Sequence, residues 1–299
     1  MNRITVVIPT HNRAESLRRA LESLCNQTYL GFSVVISDNA SEDSTSEVVN
    51  SFIHQLDITY LESSVNMGPI PNWERALNEV KTEWVKILWS DDWLEPTALE
   101  ELIKFRDSNL LDVVLCGGFG HLPGGKVDWV GEGFKLKHWH EIVPLLIQES
   151  IPVSATAGIV RAKDALSGLQ AKILDELAYK TAIGPDLILL YWPIINGGTI
   201  GYYPKPLVNM FASADSISVM RGKQIRPMYA HAILIASLVA ESKMKVSDRR
   251  ILNHRIREGV LLHRIPKLRN TPGKLSFQIL LKTWPGRLWR RFNRLRKAQ

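Results

Sequence analysis

The residues best suited to chemistry lie in Lys86-Ile87-Leu88-Trp89-Ser90-Asp91-Asp92-Trp93-Leu94-Glu95-Pro96, where an apolar run ends in two adjacent carboxylates and a proline restarts the chain. Two neighbouring negative charges at the end of a buried strand are unfavourable unless something positive sits against them. A divalent cation such as Mg²⁺ or Mn²⁺ meets that need, because hard ions take carboxylate oxygens and usually share them with substrate phosphates. The alternative is a turn in which Asp91 and Asp92 cap the helix beginning near Pro96. Three other polar sets have useful residue types: Thr10-His11-Asn12-Arg13, the run from Asp38 to Ser44, and Asp186, which opens the apolar run Leu187 to Leu190 after Gly184-Pro185.

The elements that must position these groups follow from hydrophobic patterning. Ile4 to Pro9 reads as a buried β-branched strand. Asn12 with Glu15 has the spacing of a capping box, and Leu17, Ala20, Leu21 and Leu24 then repeat at helical spacing. Phe32 to Ser37 is a second strand and Thr59 to Leu61 a third. Trp73, Ala76, Leu77 and Val80 mark a helix, Trp84 to Trp89 a fourth strand, Glu95 to Asp107 a helix and Asp112 to Cys116 a fifth strand. This alternation with short connections predicts a doubly wound, mostly parallel α/β sheet flanked by helices, in which ligands bind at the carboxyl ends of strands. The Thr10, Asp38 and Asp91 clusters all fall at such ends, which strengthens the ligand reading of the Asp pair. From Gly117 the pattern turns irregular and Gly-rich, with a helix near Glu141 to Gln148, a strand over Ala155 to Arg161, a helix up to about Tyr179, and a closing strand over Gly197 to Tyr203. Beyond Ser218 the chain reads as helical and increasingly basic.

Cys116-Gly117-Gly118-Phe119-Gly120 lacks the third glycine and the helix of a dinucleotide fingerprint, and the chain contains no GxxxxGK loop, no HExxH and no serine elbow. In combination, Ile8-Pro9-Thr10-His11-Asn12-Arg13, Ser37-Asp38-Asn39-Ala40-Ser41-Glu42-Asp43-Ser44, Asn66-Met67-Gly68 and Ser90-Asp91-Asp92 with Pro96 closely resemble family 2 glycosyltransferases, over about residues 3 to 211. That resemblance implies the GT-A fold and transfer of a sugar from a nucleotide-diphospho-sugar, commonly a UDP-sugar. It implies a nucleotide-holding loop at Pro9, Thr10, Asn12 and Arg13, and a base-recognising carboxylate at Asp38, with Asn39 and Asp43 in the same pocket wall. Asn66, Gly68, Ser90 and Asp91 belong to the donor site, Asp91 near ribose or sugar. Asp92 matches the metal-ligating aspartate, and Asp186 resembles the base that deprotonates the acceptor hydroxyl with inversion at the anomeric carbon. The family often has Glu-Asp where this chain has Pro185-Asp186, so the alternative for Asp186 is a helix N-terminal carboxylate favoured by the dipole. Where relatives carry Tyr-Arg and a nearby His, this chain has Phe211 and Ser213, leaving Arg221 or Lys223 to stand in as a phosphate contact. Trp73, Trp89 and Trp93 have the chemistry to stack on a sugar ring, with the core as the expected place of Trp89.

The 299-residue chain, 45% hydrophobic and 22% charged, has the composition of a soluble globular protein. Two cysteines, Cys25 and Cys116, make neither a disulfide framework nor a metal spacing and fit a reducing cytoplasm. The N-terminus offers no cleavage site for a signal peptide, and the longest apolar segment, Met228 to Ala240, is too short to span a bilayer. Residues 259–299 hold eleven Lys/Arg and no acid; subtracting these from the net charge of +7 leaves the remainder at −4. Trp284, Leu288, Phe292 and Leu295 fall on one helical face with Arg287, Arg290, Arg291, Arg294 and Lys297 around them, the pattern of an anchor on anionic lipid. Nucleic acid is the rival partner; the large apolar residues on one face favour lipid. The reading is therefore a glycosyltransferase domain over 1–215 and a helical, membrane-associating region over 216–299. It acts on the cytoplasmic side of the plasma membrane on a glycan or lipid-linked glycan acceptor in cell-surface polysaccharide biosynthesis. A scaffold that keeps the nucleotide fold without turnover is the other function class.

Overall fold

A computed structural model describes residues 3–122, 125–130, 132–136, 138–212, 216, 219 and 222–262. The first half alternates as expected: β1 (Ile4–Thr10), α1 (Ala14–Cys25), β2 (Phe32–Asp38), α2 (Thr45–Asn50), β3 (Ile58–Glu62), α3 (Pro69–Asn78) and β4 (Trp84–Ile87). After β4 come β5 (Trp93–Leu94), α4 (Ala98–Asn109) and β6 (Val113–Leu122), then β7 (Gly125–Trp129), β8 (Phe134–Leu136) and α5 (Trp139–Ile147). A 3₁₀ turn (Ala155–Ala157) leads into β9 (Gly158–Arg161), α6 (Ala162–Gln170), α7 (Glu176–Thr181), α8 (Pro185–Ile195) and β10 (Ile200–Phe211). Two further helices follow, α9 (Ile225–Lys243) and α10 (Val246–Leu262).

Among the described residues all strands join one sheet of order β3-β2-β1-β4-β9-β6-β10-β5, with β7 beside β6 and β8 beside β10. The β3-β2-β1-β4 block is parallel, β9 inserts antiparallel between β4 and β6, and β10 runs parallel to β6. Alternation along β1 sends Val7 to one face and Ile4, Val6 and Ile8 to the other. Helices α1 and α4 close the second face with Leu17, Leu21, Leu24, Leu99 and Leu102. Helices α3, α5, α6, α8 and α9 close the first with Trp73, Trp139, Leu169, Leu187 and Ile233. Ala232 to Ala240 of α9 and Leu252 and Ile256 of α10 therefore share a core with the body.

Four local expectations are corrected. Asn12 does not cap α1: it adopts a left-handed φ of 50°, Arg13 takes the cap position, and the Ala14 amide donates to Asp43 Oδ2 at 2.9 Å instead. β4 stops at Ile87, because the Trp89 amide turns to the Thr156 hydroxyl at 3.3 Å and the chain enters a turn. The helix expected from Glu95 starts only at Ala98, since Trp93–Leu94 pairs antiparallel with Val208–Asn209. The stretch after Gly117 is not irregular at its start, for β6 continues to Leu122 and turns back as β7. Glycine permits that continuation: a Cβ on Gly118 would lie 2.6 Å from Val208 Cγ2.

Candidate functional site

The sheet register decides what the polar clusters can do together. Thr10 pairs with Asp38 at the ends of β1 and β2, so the two following loops leave the sheet side by side. They are laced together: the Asn12 amide donates to Ser41 Oγ at 2.8 Å, and Asn12 Oδ1 accepts from the Glu42 amide at 2.8 Å. Asp38 Oδ1 accepts from the Ser41 amide (3.0 Å) and hydroxyl (2.6 Å), and Oδ2 from the Tyr60 hydroxyl at 2.9 Å. Burial opposes ionisation of Asp43, yet donors from Thr45 and the Ala14 amide hold its carboxyl below the ordinary value. Gly68, at φ 85°, donates to Asn66 Oδ1 (2.9 Å), while Asn39 bridges Asn66, Gly68 and the Met67 amide. Asn12, Asp38, Asp43 and Gly68 thus act as the frame of these loops.

A cavity of about 620 Å³ opens where the loops meet. Of the residues expected at the site, Pro9, Thr10, Arg13, Asn39, Asn66, Ser90, Asp91, Asp92 and Asp186 line it; Asn12, Asp38, Asp43 and Gly68 stand behind the wall. The Thr10 hydroxyl is buried without a hydrogen-bond partner among the described residues, a polar group left for a ligand. Trp73 and Trp89 lie tilted with ring centroids 4.5 Å apart, and both face the cavity; Trp89 packs against the core, as expected, and also forms part of the wall. Trp93 does not line the cavity; its ring lies tilted 4.8 Å from that of His121, with the Arg19 guanidinium 4.2 Å from the Trp93 ring.

Asp91 and Asp92 occupy the turn between β4 and β5. Asp92 is 3% exposed; its Oδ2 accepts from the Thr156 hydroxyl at 2.6 Å and its Oδ1 from the Phe211 amide at 3.0 Å. Burial, and then the neighbouring Asp91 charge, push its carboxyl well above the usual range, against the pull of Thr156, Phe211 and Lys86. Lys86 lies fully buried in β4 and donates to the carbonyls of Thr156 and Gly158. Desolvation lowers its ammonium to about 8, with Cys116 and Asp92 opposing that shift. The donor set fits a hard divalent cation: Asp91 and Asp92 put adjacent carboxyl oxygens on one cavity wall, and a bound cation would offset the burial and mutual repulsion that oppose ionisation of Asp92. Among the described residues no group of three or more His, Cys, Asp and Glu could hold a metal, so protein carboxylates would share the ion with substrate oxygens and water.

Asp186 sits in the first turn of α8, 4% exposed, with Pro185 at the helix start. Its Oδ1 accepts from the Gly184 amide (3.0 Å) and its Oδ2 from the Tyr229 hydroxyl (2.6 Å). Burial raises its carboxyl to about 6, although Tyr229 and the amides of Leu187 and Gly184 pull the other way. A carboxyl ionising there takes up a proton readily near neutrality.

Sequence reading missed Lys86, Thr156, Tyr229 and Lys180, the last two also on the cavity wall. Lys86 left a signal, as a lone cation inside the apolar run that ends in the Asp pair; Thr156 and Tyr229 left none, because only folding brings them to their carboxylates. Arg221, Ser213 and the basic amphipathic segment expected over 284–297 lie outside the described residues, as does the side chain of Lys223.

The mixed sheet gathers its loops at the strand ends around a carboxylate-lined cavity. The chain overlays the UDP complex of TarS residues 1–349 from Staphylococcus aureus with a TM-score of 0.70 at 19% identity, over 95% of this chain and 82% of that one. It also overlays the mannosyltransferase PcManGT of Pyrobaculum calidifontis, in complex with GDP-Man and Mn²⁺, at 0.54 and 16% identity, over 94% and 79%. The fold is GT-A. The sequence model of Glycosyl transferase family 2 matches residues 5–169, and the chain belongs to that family. Among curated relatives, the abequosyltransferase RfbV of Salmonella typhimurium is 36% identical over 117 residues, 38% of this chain and 35% of that protein. A GalNAc(5)-diNAcBac-PP-undecaprenol β-1,3-glucosyltransferase of Campylobacter jejuni is 33% identical over 106 residues, 35% and 34%. The matched stretch thus spans about a third of each of these relatives.

Proposed function

We propose that this glycosyltransferase moves a sugar, with inversion, from a nucleotide-diphospho-sugar, a UDP-sugar above all, to a hydroxyl of a glycan or lipid-linked glycan in cell-surface polysaccharide biosynthesis. One observation carries the reading: a single cavity is lined by the Asp91–Asp92 pair and by Asp186, a buried carboxyl raised to about 6. In this reading Thr10, Arg13, Asn39, Asn66 and Ser90 hold the nucleotide, and Asn12, Asp38, Asp43 and Gly68 hold the loops that face its base. Asp92 and Asp91 hold a divalent ion and the donor. The ion, Mg²⁺ or Mn²⁺, supplies positive charge against the departing nucleoside diphosphate. Asp186 accepts the proton of the acceptor hydroxyl as that oxygen attacks the anomeric carbon. The named activities of the curated relatives, one of them on an undecaprenol-linked saccharide, support the acceptor class.

The test compares donor hydrolysis and transfer with Mn²⁺ for the wild type, Asp92→Ala and Asp186→Asn. Asp92→Ala is expected to abolish metal-dependent thermal stabilisation by nucleotide sugars while the fold survives, and Asp186→Asn to retain donor binding without turnover. Equal rates in all three proteins would remove the catalytic claim for Asp92 and Asp186, and equal rates no higher than background would leave a nucleotide-binding scaffold in place of an enzyme. We further infer that the basic segment 284–297 seats the protein on anionic lipid at the cytoplasmic face. Among the described residues no helix is long and apolar enough to cross a membrane. If removal of the residues after Thr271 leaves vesicle flotation unchanged, the lipid-anchor reading is wrong.

A further inference from the structure

The Asp186 side of the cavity is built by residues that follow the family-matched stretch 5–169. Tyr229 belongs to α9, forty-three residues beyond Asp186, and reaches it with a 2.6 Å hydrogen bond to Oδ2. The amide of Gly184 holds Oδ1 at 3.0 Å, so the carboxylate is gripped from two elements. Helix α9 can come this close because Gly184 has no side chain: a Cβ there would sit 3.0 Å from both Ala232 Cβ and Leu174 Cδ1, and its φ of 104° is one that glycine tolerates. Tyr229 and Asp186 both face the cavity.

We propose that Tyr229 is a positioning residue for the Asp186 carboxylate, fixing Oδ2 so that its free lone pairs meet the acceptor hydroxyl, and that α9 thereby sets the proton-accepting strength of the site. The inference rests on reading Asp186 as the base. Burial, and then the charge of Asp186, push the Tyr229 phenol well above its ordinary value, so it stays a donor throughout the neutral range. Its hydrogen bond lowers the Asp186 carboxyl, against the burial that raises it. The other ionisable groups around this wall are placed differently. Tyr191 on α8 donates to the Pro152 carbonyl, Lys180 on α7 and the Asp91–Asp92 pair line the same cavity, and His231 on α9 faces Asp175 at 3.5 Å. Among these groups it is Tyr229 that donates to Asp186, through a 2.6 Å hydrogen bond.

The test measures the ionisation midpoint of Asp186, from the pH dependence of the stability difference made by Asp186→Asn, in the wild-type and Tyr229→Phe backgrounds of the full chain. Loss of one charge-assisted hydrogen bond is expected to move the midpoint up by about one unit. In the hydrolysis of UDP-glucose or UDP-N-acetylglucosamine with Mn²⁺, the acid limb of the rate profile should move with it. That slows Tyr229→Phe about fivefold at pH 6 and leaves it near wild type at pH 8.5. A midpoint unmoved by Tyr229→Phe, or a rate lowered equally at every pH, overturns the proposal. Survival of turnover in Asp186→Asn overturns instead the reading of Asp186 as base, so the two failures are distinguishable.

Discussion

Replacing Asp186 by asparagine should abolish transfer and at the same time make the protein more stable at neutral pH. The carboxyl is raised from its usual 3.8 to about 6, so the folded state keeps its proton where the unfolded chain has released it. For a raised carboxyl the stability is fully present below pH 3.8 and is lost as pH climbs to about 6, a loss of about 3 kcal/mol that persists at pH 7.5. Asparagine is neutral at all pH and avoids that loss. Its carbonyl keeps the Gly184 amide, and the Tyr229 hydroxyl can turn to accept from its amide, so the hydrogen-bond deficit should not exceed about 1 kcal/mol. The variant should therefore gain about 2 kcal/mol at pH 7.5 and about 1 kcal/mol or less at pH 5, read by urea unfolding at the two values. Transfer should fall by about 10²–10⁴ in the same protein. A helix-start carboxylate kept for the α8 dipole predicts the opposite sign, a loss of stability at pH 7.5. Destabilisation at pH 7.5 with transfer intact would refute both the burial reasoning and the catalytic assignment.

Two other substitutions probe the frame beneath the Asp pair. Lysine 86 is lowered to about 8 by desolvation, so the unfolded chain binds more protons between there and 10.5; wild-type stability relative to Lys86→Met should rise by about 2 kcal/mol from pH 7.5 to 10, and a flat difference would show that the ammonium is not desolvated. Gly158→Ala places a Cβ 2.8 Å from the Val114 carbonyl and 2.9 Å from Leu190 Cδ1, and should lower the unfolding free energy by about 1–3 kcal/mol while loosening the Lys86 contact; unchanged thermal unfolding would mean that β9 shifts freely.

Much of this site was legible because it sits at strand ends. β1 and β2 are apolar runs that stop at polar clusters, and a parallel sheet places such stops along one edge. The Asp91–Asp92 pair and Asp186 were visible for the same reason, as charges where hydrophobic periodicity breaks. What patterning could not reveal was which polar residues face a ligand and which face each other. Asp91 lines the cavity, whereas Asp38 and Asp43 do not, and their oxygens accept from Ser41, Tyr60, Thr45 and the Ala14 amide. Trp89 reads as the last residue of a buried strand, and one hydrogen bond from its amide to Thr156 turns it onto the cavity wall.

The sequence by itself determined the α/β alternation, the family and the acidic residues around which the site is made, since these depend on local periodicity and on motifs short enough to read in order. Tertiary structure alone decided how those acids are tuned. Asp92 meets Thr156 from 64 residues away, and Asp186 meets Tyr229 from 43. The shift of a carboxyl depends on burial and on donors within about 3 Å, and both are supplied by segments whose distance along the chain carries no information about their distance in space.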